Sequence, residues 1–293
     1  PKKRKLSPLA RVLIIILLVC IIAGSIVASV LTVYILKYIK SDDTLDLTDV
    51  KLSYSTILYA MDESTGEYYE FHRLHDVENR IWVDYEQIPD ALWQAAVAIE
   101  DHRFFEHNGV DWTRTASATL NFFTGSRATF GGSTLTQQVL KNMTGDDGNT
   151  INRKVREIFR ALEFEKNYSK EEILEAYLNY IYLGQGCNGV YTAAYTYFGK
   201  HVSELSLAEC ASLIAITNNP SKYDPLSKRE ITDAETGETK TTAQYNKERQ
   251  ELILQAMLEQ GMISQEEYDR WRYHYPEYDS SQIHAKVPPE SLI

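Results

Sequence analysis

Cysteine is scarce in this sequence: Cys20, Cys187 and Cys210 are the three in a chain of 293 residues. None belongs to a CxxC pair, so neither a zinc knuckle nor a dithiol redox centre is encoded. A Cys187–Cys210 disulfide and two buried free thiols are both compatible with the spacing. The HExxH pattern of zinc hydrolases is missing, as is the GxxxxGK[ST] loop of nucleotide-binding folds. No repeat or low-complexity tract occurs, which excludes solenoids and arrays. Basic charge is also short, with 30 Lys and Arg against 41 Asp and Glu. Seven of those bases (Lys2, Lys3, Arg4, Lys5, Arg11, Lys37, Lys40) lie within residues 1–41, which hold no acid. The remainder has 23 bases against 41 acids. A body so acidic is a poor binder of phosphate backbones, and no nucleic-acid partner is expected.

Residues 12–36, "VLIIILLVCIIAGSIVASVLTVYIL", are 25 positions without a charge. About 20 apolar helical residues cross a bilayer core, so this run is long enough to span with some tilt. A signal peptide is the competing reading, although its apolar core is usually about 7–15 residues. The basic tail, residues 1–11, would keep the N-terminus in the cytoplasm and place residues from about 41 onward outside. Pro1 in place of Met reads as the start of an excised piece.

Residues 37–80 read as a tether followed by a β-hairpin, "STILYAMDESTGEYYEFHRL", alternating about a Ser-Thr-Gly turn. From Pro89 the pattern is helical. Leu92, Ala95, Ala96 and Ile99 follow i, i+3, i+4, i+7 spacing, as do Val155, Ile158, Phe159 and Leu162, and each set is expected to face the core. Residues 171–183 and 205–216 add two apolar helical stretches, and 226–244 reads as a polar surface excursion. "NKERQELILQAMLEQG" is a helix stopped by Gly261; Ser264 and Glu267 form the capping box of a last short helix. The fold class is mainly α, with the principal domain over 81–275 and a linker over 276–293 leading toward a further domain.

Three stretches could carry chemistry. In "AIEDHRFFEHNGVD" Glu100 ends an apolar run with Ala96, Val97 and Trp93 one and two turns behind it. Desolvation raises a carboxyl pKa toward the range useful to a general base. A polar helix end without function is the plain alternative. His102 and His107 stand five apart, poor spacing for two ligands on one helical face, so no metal site is expected. In "GGSTLTQQVLKN", Thr134 and Gln137 fit a capping box, and Thr134, Gln138, Lys141 and Asn142 share one helix face. A glycine-led helix start followed by a Lys two turns on could hold a pyrophosphate, or be a solvated face. In "NRKVREIFRALEFEK", Arg153, Glu157 and Arg160 fall together; an ordinary surface i,i+4 pair would look the same.

Together these stretches carry a resemblance. Five blocks, "EDHRFFEHNGVD", "GGSTLTQQVLKN", "RKVREIFRALEFEKNYSKEEILEAYLN", "YLGQGCNGVYTAAYTYFGK" and "LSLAECASLIAITNNPSKYDP", occur in order. The chain resembles the peptidoglycan glycosyltransferase (transglycosylase) domain of class A penicillin-binding proteins and monofunctional peptidoglycan glycosyltransferases, glycosyltransferase family 51. The resemblance runs from about residue 80 to 275, plus the N-terminal anchor. Cys187-Asn188 departs from the pattern, which expects a small, often aromatic residue there.

The resemblance implies a lysozyme-like glycosyltransferase domain on a single transmembrane helix, in the cell membrane with the catalytic domain outside. It implies polymerisation of lipid II into β-1,4-linked glycan strands, inverting at the anomeric carbon, with undecaprenyl pyrophosphate leaving. Glu100 matches the family's catalytic base and Glu157 its second essential carboxylate. Lys141 and Arg153 match the pyrophosphate-binding positions. Asp101, Phe104, His107, Thr134, Gln138 and Asn142 complete the expected substrate-binding set. Residues 116–130, with Phe122, Phe123 and Phe130, match a mobile segment near the donor site; core phenylalanines are the alternative. No cofactor is required, with Mg2+ or Mn2+ as stimulants. The implied partners are lipid II, the nascent glycan strand, the membrane and other cell-wall synthesis proteins. A lytic transglycosylase or hydrolase and a non-catalytic wall-binding module are the rival readings. A glycan leaving group would not need Lys141 and Arg153, which separates the first rival.

Overall fold

The computed structural model describes residues 7–34, 47, 56–61, 65–66, 68–74, 80–124, 132–145, 148, 150–233 and 236–278. It divides into two units, Pro1–Leu45 and Asp46–Ile293.

In the first unit, α1 spans Pro8–Tyr34. It begins before the expected residue 12 because Ser7 starts it: the Ala10 amide donates to Ser7 Oγ at 3.2 Å. Pro8 follows in the first turn, where a missing N–H loses nothing. Within it Pro8–Val33 is long and apolar enough to cross a membrane. Its 26 residues rise about 39 Å at 1.5 Å each, against about 30 Å of hydrocarbon, so the span fits with tilt. Ser25, Ser29 and Thr32 donate to the carbonyls of Ile21, Ser25 and Ala28, each at 2.8 Å, which satisfies their hydroxyls inside the helix.

The second unit opens with an antiparallel hairpin, β1 (Thr56–Met61) and β2 (Tyr68–Leu74), whose register shifts between Leu58 and Tyr59. Helices follow: α2 (Asp90–Glu100), α3 (Trp112–Thr124), α4 (Leu135–Thr144), α5 (Ile151–Asn167), α6 (Lys170–Tyr180), α7 (Val190–Phe198), α8 (Leu207–Thr217) and the single turn α9 (Pro220–Tyr223). After them come α10 (Thr242–Glu259) and α11 (Gln265–Trp271). The polar excursion forms a small hairpin, β3 (Glu230–Thr232) with β4 (Thr239–Thr241). Its threonines alternate and Gly237 takes φ +70° in the turn, where a left-handed residue is needed.

At the centre lies α8. Ala208 through Ile216 are all buried, so the helix is enclosed on every side, with Glu209 paired to Lys200 and Ser212 bonded to Asn246. It packs on α2 and α10, while α4 packs on α5 and α6. Asn179 of α6 is fully buried and clasps Val83, accepting from its amide and donating to its carbonyl, both at 2.8 Å. Ser169, Ser206 and Ser264 start α6, α8 and α11 with complete capping boxes. Packing continues to Tyr278, which stacks on Phe198 with ring centroids 5.6 Å apart.

One predicted core face is displaced. Leu92, Ala95 and Ala96 of α2 are buried, but Val155, Ile158, Phe159 and Leu162 of α5 are only half-buried. The buried face of α5 is Glu157, Ala161 and Phe164, at i, i+4, i+7. A carboxylate leads that face, so apolar periodicity selected the wrong stripe. Most of the tether and of the C-terminal linker, and residues 35–36 of the apolar run, lie outside the described residues.

Candidate active site

The site starts where α2 ends. Glu100 is its last residue, and Asp101 leaves the helix with φ −156° and ψ 68°, which sends the two carboxylates in different directions. Glu100 stays at the surface, 17% exposed. Its Oε2 accepts from Gln138 Nε2 at 3.2 Å, and its Oε1 lies 3.3 Å from Thr217 Oγ1 and 3.4 Å from Arg249 Nη2. Every neighbour is a donor, which suits an acceptor-only carboxylate.

Asp101 is fully buried. Its Oδ2 lies 3.0 Å from His107 Nε2 and accepts the Leu135 amide at 3.0 Å, and its Oδ1 accepts Arg114 Nη1 at 3.1 Å. Arg114 also donates to the Glu100 carbonyl at 2.7 Å. Phe104 is fully buried beneath the same loop, with Lys170 Nζ 4.2 Å from its ring centroid. Thr134 caps α4 as predicted and donates to the Gly109 carbonyl at 2.7 Å. Gly109 has φ +86°, and a Cβ there would lie 2.4 Å from the Ala161 oxygen, so only glycine lets the loop close against α5. Of the expected substrate-binding set, Asp101, Phe104 and Thr134 are fully buried and His107 is partly buried. The carboxylate of Asp101 and the hydroxyl of Thr134 are engaged, while His107 Nδ1 is buried without a hydrogen-bond partner among the described residues.

The cations gather one turn along α4. Lys141 is exposed and lines a shallow depression with Leu140, Thr144, Arg153, Glu157 and Arg160. Glu157 is 7% exposed and sits between two cations: Arg153 Nη1 donates to Oε2 at 2.7 Å, and Lys154 Nζ binds Oε1. Lys154 also donates to Ser133 Oγ at 2.9 Å, tying α5 to the start of α4. Gln138 and Lys141 are three residues apart, about 4.5 Å along the helix axis. One helix therefore carries a residue bonded to Glu100 and, a turn later, a cation of the second cluster. Asn142 is exposed, and no hydrogen bond ties it to either group among the described residues.

A family model described as transglycosylase matches residues 67–258. The chain belongs to the transglycosylase family. It is 40% identical over 220 residues to penicillin-binding protein 2D of Bacillus subtilis strain 168, covering 75% of this chain and 29% of that protein. To penicillin-binding protein 4 of the same organism it is 35% identical over 257 residues, covering 86% of this chain and 38% of the relative. The chain thus spans less than two-fifths of the length of these curated relatives. Penicillin-binding protein 1A from Haemophilus influenzae is a structural match with TM-score 0.41 and 24% identity, covering 72% of this chain and 20% of that one.

Three residues of this transglycosylase domain escaped the sequence reading. Arg249 on α10 and Thr217 at the end of α8 reach Glu100 across 149 and 117 residues, and Arg114 braces Asp101 from α3. The only prior signal was that Thr217 lies in one of the family blocks. Residues 125–131, and the side chains of 119–124, lie outside the described residues, and with them Phe122, Phe123 and Phe130. Among the described residues no group of three or more His, Cys, Asp or Glu could hold a metal ion. Cys187 and Cys210 are buried free thiols: Cys187 Sγ donates to Thr196 Oγ1 at 3.2 Å, and Cys210 Sγ lies 3.9 Å from the Leu205 carbonyl.

Proposed function

We propose that this chain is a peptidoglycan glycosyltransferase that polymerises lipid II at the outer face of a bacterial membrane. The observation that carries the reading is α4, which places a Glu100-bound Gln138 one turn from Lys141 and the Arg153–Glu157 cluster. The chemistry needs this combination. Glu100 takes the proton of the acceptor sugar's 4-hydroxyl as that oxygen bonds to the anomeric carbon of the growing strand. The bond from that carbon to the pyrophosphate oxygen breaks on the opposite face, and its electron pair leaves with undecaprenyl pyrophosphate. Configuration inverts. Because the leaving group is already a stable anion, cations suffice and no second acid is required.

Lys141 and Arg153 are the cations assigned to the pyrophosphate. Glu157 does not donate; its work is to fix Arg153 and Lys154, both of which bind its carboxylate. A divalent ion, if used, would be held by the pyrophosphate, since the described residues offer no cluster of their own. The apolar Pro8–Val33 helix suits a lipid-linked substrate: an enzyme anchored in the same bilayer meets it at raised effective concentration. The basic residues before the helix orient the N-terminus to the cytoplasm and the domain outward.

Incubating the purified chain with labelled lipid II, and separately with preformed glycan, tests this reading. Growth of strands from lipid II with release of the lipid pyrophosphate is expected. Cleavage of preformed glycan without polymerisation would instead establish the hydrolase.

A further inference from the structure

We propose that Arg249 is the positioning residue of the catalytic base: with Thr217 it clamps Oε1 of Glu100 and leaves Oε2 to receive the acceptor proton. The inference rests on the glycosyltransferase reading and adds a residue to it.

The two oxygens of Glu100 differ in surroundings. Oε1 has two neighbours, Thr217 Oγ1 at 3.3 Å and Arg249 Nη2 at 3.4 Å. Among the described residues Oε2 has one, the Gln138 amide at 3.2 Å. A carboxylate oxygen accepts two hydrogen bonds, so Oε2 keeps an open lone pair and Oε1 does not. Thr217 shares its single proton with the Ile214 carbonyl at 2.8 Å, so it cannot hold Oε1 alone. The fixed charge of Arg249 is what remains to orient the carboxylate.

Arg249 is built for a single direction of action. Its side chain is 16% exposed, and its Nε is buried without a hydrogen-bond partner among the described residues. The guanidinium carbon lies 5.4 Å from the centroid of the Tyr223 ring, so an aromatic face backs it while an edge meets Glu100. A surface ion pair would leave the arginine solvated and movable; this one is fixed by α10 packing on α2 and α8.

The groups facing Glu100 come from every packed element. Arg114 of α3 bonds its carbonyl, Gln138 comes from α4, Thr217 from α8 and Arg249 from α10. Tyr177 of α6 is the remaining titratable neighbour among the described residues. Burial, and then the Glu100 charge, push its hydroxyl well above the ordinary value, so it stays neutral. Asp101 follows in the chain but is engaged by His107, Arg114 and Leu135. Among the described residues Arg249 is therefore the charged side chain acting directly on the Glu100 carboxylate.

The test is kcat and KM on lipid II for Arg249→Gln, Arg249→Lys and the wild-type chain, with Glu100→Gln as reference. Arg249→Gln should lower kcat at least roughly tenfold with KM little changed, because a misdirected base slows proton transfer without loosening substrate. Arg249→Lys should recover kcat only in part, because the charge returns without the planar guanidinium. If Arg249→Gln proves unfolded by circular dichroism, folded Arg249→Lys with lowered kcat and a wild-type KM carries the test. A kcat equal to wild type in folded Arg249→Gln would overturn the proposal, as would full wild-type kcat in Arg249→Lys when the Gln variant does not fold. Activity in Glu100→Gln, or none in the wild type, would overturn the underlying function instead.

Discussion

The Leu135 amide donates to Oδ2 of Asp101 at 3.0 Å. The residue after the candidate base thus holds the first turn of the helix that carries Gln138 and Lys141. A buried carboxylate at a helix N-terminus meets both an unsatisfied N–H and the positive end of the helix dipole. The adjacent pair Glu100-Asp101 divides the work: one carboxylate stays partly exposed, and the other is buried and fixes the helix to which the first is bonded.

Asp101→Ala should therefore act on stability before chemistry. It leaves Arg114, His107 and the Leu135 amide without their shared acceptor, and loss of one partner in such a buried cluster costs about 3 kcal/mol. Urea denaturation measures this directly. A midpoint equal to that of the wild type would show that the cluster does not hold α4.

Lys141→Ala and Arg153→Ala should separate binding from folding. Both should reduce lipid II turnover at least tenfold, about 1.4 kcal/mol of transition-state stabilisation. Lys141 is exposed and its loss should leave Tm unchanged, whereas Arg153→Ala deprives the buried Glu157 of one cation and should lower stability by about 1 kcal/mol. Turnover measured beside thermal unfolding distinguishes the two. Unchanged turnover in both variants would remove the pyrophosphate role.

Acid sensitivity should trace in part to Asp111. Burial alone would push its carboxyl up, but the Arg114 amide and the Arg103 guanidinium outweigh it and hold the group below the ordinary carboxylate range. Arg103 contacts both oxygens, with Nη2 2.6 Å from Oδ1, and the Arg114 amide donates to Oδ1 at 2.9 Å. A depressed folded-state value contributes stability above the unfolded value of about 3.9, lost as pH falls through the folded value. Asp111→Asn should be less stable than wild type at neutral pH, and the difference should shrink below about pH 4. Denaturation midpoints from pH 7 to 3 check this, and a constant difference would contradict it.

The thiols offer a fourth check. Burial pushes Cys187 up to about 11 and Cys210 higher still. Thiolate is the reactive form, so both should resist alkylation near pH 8 until the domain unfolds. Mass spectrometry after iodoacetamide treatment, with and without denaturant, reads the difference. Rapid labelling of either in the folded state would count against its burial.

Local chemistry was legible in the sequence. The capping boxes at Thr134 and Ser264 sit where the spacing put them, because a cap depends on residues three apart. The stripe Val155, Ile158, Phe159 and Leu162 misled because periodicity identifies an apolar face but not what covers it. The buried side of α5 instead carries Glu157, made tolerable by Arg153 and Lys154. Lys141 and the Arg153–Glu157 pair were found in two separate stretches, and the structure brings them into one depression. Arg249 was out of reach, since nothing local ties it to a carboxylate 149 residues away. Nor does adjacency in sequence reveal that the helix end turns Glu100 and Asp101 apart and buries the second of them.

The central claim is that Glu100 is the base of a lipid II polymerase, and Glu100→Gln tests it most directly. Glutamine keeps the shape and can still accept from Thr217 and Arg249, but it cannot take a proton from the acceptor hydroxyl. The variant should keep the wild-type circular dichroism spectrum and lose at least about a hundredfold in lipid II polymerisation rate. Polymerisation at the wild-type rate by the folded Glu100→Gln chain would contradict the account.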